Sequence, residues 1–221
     1  MPVGRTLISG SPYIGVYLRV GESTAVIPPS ASMQTEREVA RLFGIRCVRS
    51  TISESEILGA LLAFNSHGAV VGDAVDDSER AALETVAPLT VIPNRHNAMG
   101  NNVLTNDAGA LVHPDFSDQT IERIHHALRV PVRRATIAGL GTVGMAGIAT
   151  NAGAVIHPKA TEREAAVVSE VLQVPIHRST ANFGVPIVGA CLVANSKAML
   201  VGRPTTPVEI VHLQEGLKIF D

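Results

Sequence analysis

The residues of this chain whose types and spacing could do chemistry are one cysteine, two His-Pro pairs, a glycine-rich hexapeptide and a recurring arginine. Cys191 is the candidate nucleophile. A reactive thiolate needs a base or a positive neighbourhood, and here Ala190 and Leu192 flank it in an apolar stretch that reads as the inside of a strand. His113-Pro114 and His157-Pro158 offer imidazoles, a common metal ligand. No Cys, Asp or Glu accompanies them at the spacing of a zinc site, so each pair reads as a turn that ends a strand before a helix. Gly139-Leu140-Gly141-Thr142-Val143-Gly144 spells G-x-G-x-x-G. A dinucleotide site needs that motif between a strand and a helix, whereas an apolar strand, Ala146–Ala149, is expected to follow it. Arg49, Arg134 and Arg178 recur at equivalent places, and what they could bind depends on the architecture around them.

That architecture is repetitive. The last apolar residues of five short runs, Ile27, Val71, Val112, Ile156 and Val201, are spaced 44, 41, 44 and 45 residues apart. Eighteen residues beyond each stands Ile45, Leu89, Val130, Val174 or Ile219. Five or six before each stands Gly21, Asn65, Asn106, Asn151 or Asn195, residue types that tolerate left-handed turns. Thr35-x-x-Glu38, Thr161-x-x-Glu164 and Thr206-x-x-Glu209 have the form of a helix capping box. Pro207 falls at a first helical position. Ile121, Ile124 and Leu128 follow at helical spacing, as do Ala165, Val168 and Leu172. Each unit therefore reads as a ββαβ module with Cys191–Val193 in the first strand of the last copy, and residues 1–221 form one domain of five modules. Ile219 stands where a final strand should begin, two residues before Asp221. Arg5-Thr6, ten residues before Gly15, matches Arg49-Ser50, ten before Gly59. The N-terminal segment is thus expected to complete the last module and close a ring, leaving no open sheet edge. In such a ring Arg5, Arg49, Arg134 and Arg178 gather at the central channel or its rim, with Pro93 at the second module's place. They either form an anion or carboxylate site, or each pairs with a local carboxylate or carbonyl and holds neighbouring modules together.

Composition excludes several classes. The 221 residues are 46% hydrophobic and 17% charged, which rules out a largely disordered chain. A formal charge of -2 shows no basic field for nucleic acid, and 3% aromatics with no Trp argues against single-strand stacking platforms. The start, MPVGRTLISGSPYIG, lacks a basic leader and a continuous apolar run, so no signal peptide is expected. Cys47 and Cys191 lie far apart without metal-type spacing, as in a chain kept in a reducing cytoplasm.

Five ββαβ modules in a ring resemble the α/β pentein fold, an α/β propeller with pseudo-fivefold symmetry. The runs GNNVLTNDAGALVHPD (Gly100–Asp115), NAGAVIHPK (Asn151–Lys159), LQVPIHRSTAN (Leu172–Asn182) and VGACLVANSKAMLVG (Val188–Gly202) resemble the translation initiation factor 6 family in its short archaeal form. The resemblance implies a non-enzymatic, monomeric, cytoplasmic protein with no cofactor, no metal and no membrane partner. It implies binding to the large ribosomal subunit on the face that joins the small one, at ribosomal proteins near the sarcin–ricin loop or at that rRNA loop. Subunit joining is then blocked sterically, and the protein takes part in large-subunit maturation. Carried onto this sequence, the contact residue is Asn101, with Asn102, Arg95, Asn65 and His67 in turns of the second and third modules. The competing expectation is a pentein enzyme that modifies guanidino groups through a cysteine nucleophile.

Overall fold

A computed structural model describes residues 2–220; Met1 and Asp221, the two ends of the expected domain, lie outside the described residues. The chain opens with β1 (Val3–Thr6) and then repeats one plan five times. The first module holds α1 (Ile14–Tyr17), β2 (Arg19–Val20), β3 (Thr24–Ile27), α2 (Met33–Phe43) and β4 (Arg46–Arg49). The second holds α3 (Leu58–Leu61), β5 (Leu62–Phe64), β6 (Ala69–Val71), α4 (Asp77–Glu84) and β7 (Leu89–Val91). The third holds α5 (Met99–Asn102), β8 (Val103–Thr105), β9 (Ala110–Val112), α6 (Asp118–Leu128) and β10 (Val132–Arg134). The fourth holds α7 (Val143–Ala146), β11 (Gly147–Ala149), β12 (Ala154–Ile156), α8 (Glu162–Leu172) and β13 (Ile176–Arg178). The fifth ends the chain with α9 (Val188–Cys191), β14 (Leu192–Ala194), β15 (Met199–Gly202) and α10 (Pro207–Leu217).

Each module has its own three-stranded sheet, with an antiparallel hairpin and then a parallel third strand. In the fifth module β1 supplies that third strand, placing Arg5 opposite Val201 as Arg49 lies opposite Ile27. The ring is therefore closed by the N-terminal segment, as the sequence match of Arg5-Thr6 to Arg49-Ser50 implies. Ile219 is buried but starts no strand.

The apolar runs are continuous because both faces of each middle strand are covered. Ala25 and Ile27 enter their own module's core, while Val26 between them enters the second module's. Ala69 and Val71 against Val70, Ala110 and Val112 against Leu111, and Ala154 and Ile156 against Val155 divide the same way. Every core is thus shared between neighbours, and a one-residue slip in any middle strand would misdirect two cores at once. No module buries its apolar face alone.

The sequence gives no helical period for α1, α3, α5, α7 and α9, which have four residues each. Cys191 therefore ends a helical turn rather than lying within a strand, and a helical turn, Val143–Ala146, precedes the strand expected at Ala146–Ala149, which runs from Gly147 to Ala149. Their shared feature is a glycine at the second position. A methyl group on Gly15 would overlap the carbonyl oxygen of Gly189, and one on Gly189 that of Gly144. Gly144 meets Gly100, Gly100 meets Gly59, and Gly59 meets Gly15. This circle of backbone contacts closes one end of the central channel.

At the other end lie the hairpin turns. Gly21, Asn65, Asn106, Asn151 and Asn195 all have negative φ, so left-handed tolerance is not what selects them. The asparagine side chain acts instead: Asn65 Oδ1 accepts from the His67 and Gly68 N–H groups at 3.0 and 3.1 Å. Its Nδ2 reaches the next module, donating to the carbonyls of Asn106 at 3.1 Å and Leu128 at 2.9 Å. In the fourth module Thr150 takes the bracing place, with Oγ1 accepting from Ala152 and Gly153, and Asn151 stands one residue outside it.

All five long helices start six residues past the anchors Ile27, Val71, Val112, Ile156 and Val201. Thr161-x-x-Glu164 and Thr206-x-x-Glu209 are capping boxes, with Pro207 in the first turn, and Asp76-x-x-Glu79 is a third. Thr35 is not a cap: Ser32 caps α2 and accepts from the Thr35 N–H. Helix α4 has 8 residues where its counterparts have 11, so Leu89 pairs with Ala69 as Cys47 pairs with Ala25. Ala87 then fills the place of Ile45, and Val91, not Pro93, the place of the recurring arginine.

The capping glutamates also clasp the preceding module. Glu164 accepts from the Gly139 N–H at 2.9 Å and the Thr136 hydroxyl at 2.8 Å, while Glu209 holds Thr180, Phe183 and Gly184. Burial alone would raise the Glu164 carboxyl, but the hydrogen bonds from Gly139, Thr161 and Thr136 outweigh it and bring the pKa down to about 2. A depressed carboxylate contributes stability that is present above its unfolded pKa and lost as pH falls through the folded one. Stability should therefore decline between about pH 4.5 and pH 2, and Glu164→Gln should make that decline shallower in urea titrations. An unchanged acid slope would show that the clasp contributes nothing.

Candidate functional site

The recurring arginines do not surround the channel. Each lies on the outermost strand of its sheet, and Arg49, Arg134 and Arg178 hold the starts of their own modules' long helices. Arg49 donates to the carbonyls of Pro29 and Ala31, both at 2.8 Å, and pairs with Glu36 at 2.8 Å. Arg134 donates to the Phe116 carbonyl and pairs with Asp118 at 2.6 Å, and Arg178 does so with Ala160 and with Glu162 at 3.0 Å. Arg5 is exposed on β1. Arg49, Arg134 and Arg178 are thus braces within modules, paired with local carbonyls and carboxylates, and neither an anion ring nor ties between modules. The outward position follows from strand order, since the third strand of each unit is added on the side away from the axis.

The histidines act as turn caps. His113 Nδ1 accepts from the Asp115 N–H at 3.1 Å, and His157 Nδ1 from the Lys159 N–H at 3.1 Å. Burial, then nearby positive charge or a second imidazole, lowers both pKa values and favours the neutral ring that can accept. Contrary to the expectation that no acid stands near, His96 and Asp115 do join His113, with potential ligand atoms within 4.8 Å of one another. The His113 lone pair at Nδ1 is already engaged by the Asp115 amide, and Asp115 is also paired with Arg95 at 3.2 Å. The His96 and His113 rings stack at 4.3 Å rather than converging edge-on. As arranged, the trio fits a turn brace better than a metal centre.

Cys191 is buried, and burial pushes its thiol up to about 12. A thiol so disposed is a poor nucleophile at neutral pH. Cys47, half-buried, is likewise raised to about 11 by burial and the nearby Glu36.

What remains is a surface. Strand direction puts α1, α3, α5, α7 and α9, the loops leading into them and the N-termini of the long helices at one end of the ring. The hairpin turns and long-helix C-termini occupy the other end. Of the residues nominated from sequence, Asn101, Asn102 and Arg95 lie at the glycine end, while Asn65 and His67 lie at the hairpin end. They do not form one patch. Asn102 is buried and donates to the carbonyls of Ala98 at 2.9 Å and His96 at 3.3 Å, so it braces the loop. Asn65 is buried in the turn described above. Asn101 is half-buried and its side chain makes no hydrogen bond among the described residues, leaving it free to meet a partner.

The same end displays large apolar side chains that sequence reasoning does not single out: Tyr13, Ile57, Leu140 and Phe183, all in loops leading to the one-turn helices. Phe183 is 80% exposed, yet its backbone is fixed. Its φ is +63°, its N–H donates to Glu209 at 3.1 Å, and Asn182 beside it donates from its side chain to the Pro12 carbonyl at 2.8 Å. The Asn-Phe-Gly triplet could have signalled a tight turn with an outward aromatic tip. A rigid aromatic in solvent loses little entropy when a partner covers it. The arrangement can bind, and burial raises both thiols among the described residues rather than activating them.

Comparison with known proteins agrees on one family. The family model described as eIF-6 family matches residues 3–216. Translation initiation factor 6 of Methanocella arvoryzae is 46% identical over 212 residues, covering 96% of each chain. The protein of the same name from Methanosphaerula palustris is 40% identical over 212 residues, again 96% of each. That of Haloquadratum walsbyi is 39% identical over 215 residues, covering 96% of this chain and 95% of its own.

Proposed function

Because the chain belongs to the eIF-6 family of translation initiation factors, we propose that it binds the large ribosomal subunit and blocks small-subunit joining by occupying the joining face. The contact is the glycine end of the ring, at ribosomal proteins near the sarcin–ricin loop, and the same binding serves large-subunit maturation. The protein acts in the cytoplasm, as a monomer and without turnover. No helix among the described residues is long and apolar enough to cross a membrane.

One observation carries this reading: the glycine end of a ring with shared cores displays Phe183, exposed on a fixed backbone, together with Tyr13, Ile57, Leu140 and the unengaged Asn101. Occlusion needs a surface that stays in place, and a standard interface of roughly 1,600 Å² suffices for stable binding. The slight negative charge of -2 suits a basic ribosomal protein as partner and disfavours indiscriminate binding to phosphate. The buried thiol of Cys191 favours binding over covalent chemistry.

Sedimentation of purified large subunits with the protein tests the reading, paired with alkylation of the folded chain. We expect retention at moderate salt and slow labelling of Cys191. Absence from the large-subunit fraction, or fast labelling of Cys191 with release of citrulline or ornithine from arginine, would replace the factor with the enzyme.

A further inference from the structure

The inner strands β2, β5, β8, β11 and β14 wall a central pit whose floor is the circle of glycines. Val20, Phe64, Thr105, Ile148 and Leu192 help line it, and so does Arg19. Register puts Arg19 opposite Val26 just as Ala63 lies opposite Val70, Leu104 opposite Leu111, Ile148 opposite Val155 and Val193 opposite Leu200. At this height four of the five symmetric places are apolar and the fifth holds a guanidinium. Arg19 is half-buried; burial lowers its pKa to about 10, which leaves it charged at neutral pH. Among the described residues nothing accepts a hydrogen bond from its side chain, in contrast to the clasped Arg49, Arg134 and Arg178.

A half-buried guanidinium among apolar walls, with no acceptor among the described residues, is a place where a counter-charge gains more than it would in open solvent. The pit offers about 40 Å³ of room for solvent, enough for one to a few water-sized groups and too little for a nucleotide. It continues past Val20, Phe64 and Thr105 into a hollow among the hairpin turns, where Glu22 and Asp107 stand. Both carboxylates are engaged, Glu22 by the Ser196 hydroxyl at 2.7 Å and Asp107 by the Ser66 hydroxyl at 2.7 Å and by Asn151. Negative charge at that mouth opposes polyanions far more than monovalent ones.

We propose that Arg19 is the seat of a small monovalent anion, a halide or a short carboxylate such as formate, held in the central pit. The proposal is independent of ribosome binding. Melting temperatures measured at constant ionic strength, replacing sodium gluconate by chloride, bromide or formate up to ~300 mM, should rise by about 4 °C. Arg19→Leu, which copies the residue at the equivalent Leu104, should abolish the rise; Arg19→Lys should keep part of it. A rise with halides alone or with formate alone identifies the source and supports the site. An equal rise in wild type and Arg19→Leu means an adventitious ion only and overturns it. Crystals grown with bromide decide the matter without any variant: an anomalous peak against the Arg19 guanidinium supports the site, and peaks confined to the outer surface refute it.

Discussion

Gly100→Ala is expected to lower folding stability by about 3 kcal/mol, the upper end of what overpacking costs. The added methyl would overlap the Gly59 carbonyl oxygen and come within 2.7 Å of that of Leu62 and 3.0 Å of the Ala60 carbonyl carbon. All three are backbone atoms, so no side chain can rotate aside, and the neighbouring module must move. The same movement would strain the next contact in the circle, so Gly15, Gly59, Gly144 and Gly189 should behave alike. Gly139→Ala is the control: at φ +76° it is conformationally strained, but no atom lies within 4 Å. It should lose only about 1 kcal/mol. Urea midpoints separate the two, and a Gly100→Ala protein as stable as wild type would mean that the modules do not meet at this circle.

Phe183→Ala and Asn101→Arg should each weaken large-subunit binding by about 30-fold, the effect of losing a residue worth about 2 kcal/mol at the centre of an interface. Asn101→Arg should leave stability within about 0.5 kcal/mol, because its side chain holds nothing in the folded chain. Asn65→Ala should do the reverse. It removes an asparagine whose four hydrogen bonds order the turn and tie the second module to the third, so stability falls by about 2 kcal/mol. The affinity of the folded fraction should stay unchanged, since Asn65 sits at the far end of the inner strand. Equilibrium binding of labelled protein to large subunits, alongside denaturation of each variant, reads both quantities. If Asn65→Ala weakened binding and Phe183→Ala did not, the hairpin end would be the contact face.

Much of this fold could be read from the chain because tandem copies average out local ambiguity. One apolar triplet such as Ala154–Ile156 is ambiguous alone, but five in register, each followed after six residues by a helix, are not. The copies also mislead where they differ. Helix α4 is shorter than its counterparts, so a fixed offset of eighteen lands on Leu89 instead of Ala87 and turns Val91 into Pro93. Helices α1, α3, α5, α7 and α9 are too short to show a period, and the reason for their glycines lies in neighbouring backbones distant in the chain. The arginines recur for a local cause, capping carbonyls at helix starts, which offsets along the chain cannot separate from convergence on an axis. The candidate site was less legible still. Asn101 emerged from family resemblance, but the outward placement of Phe183 depends on a left-handed backbone fixed by Glu209 from another segment. Asn151, one position from its expected role, shows that a matching residue type is weaker evidence than a matching hydrogen bond.

Occlusion makes a sharper demand than binding alone. Large subunits preloaded with the protein, mixed with small subunits at joining magnesium concentrations and resolved on a sucrose gradient, should remain separate with the protein on the large-subunit peak. Phe183→Ala should restore joining. A peak of joined particles that still carries the wild-type protein would contradict a steric shield, however tightly the protein binds.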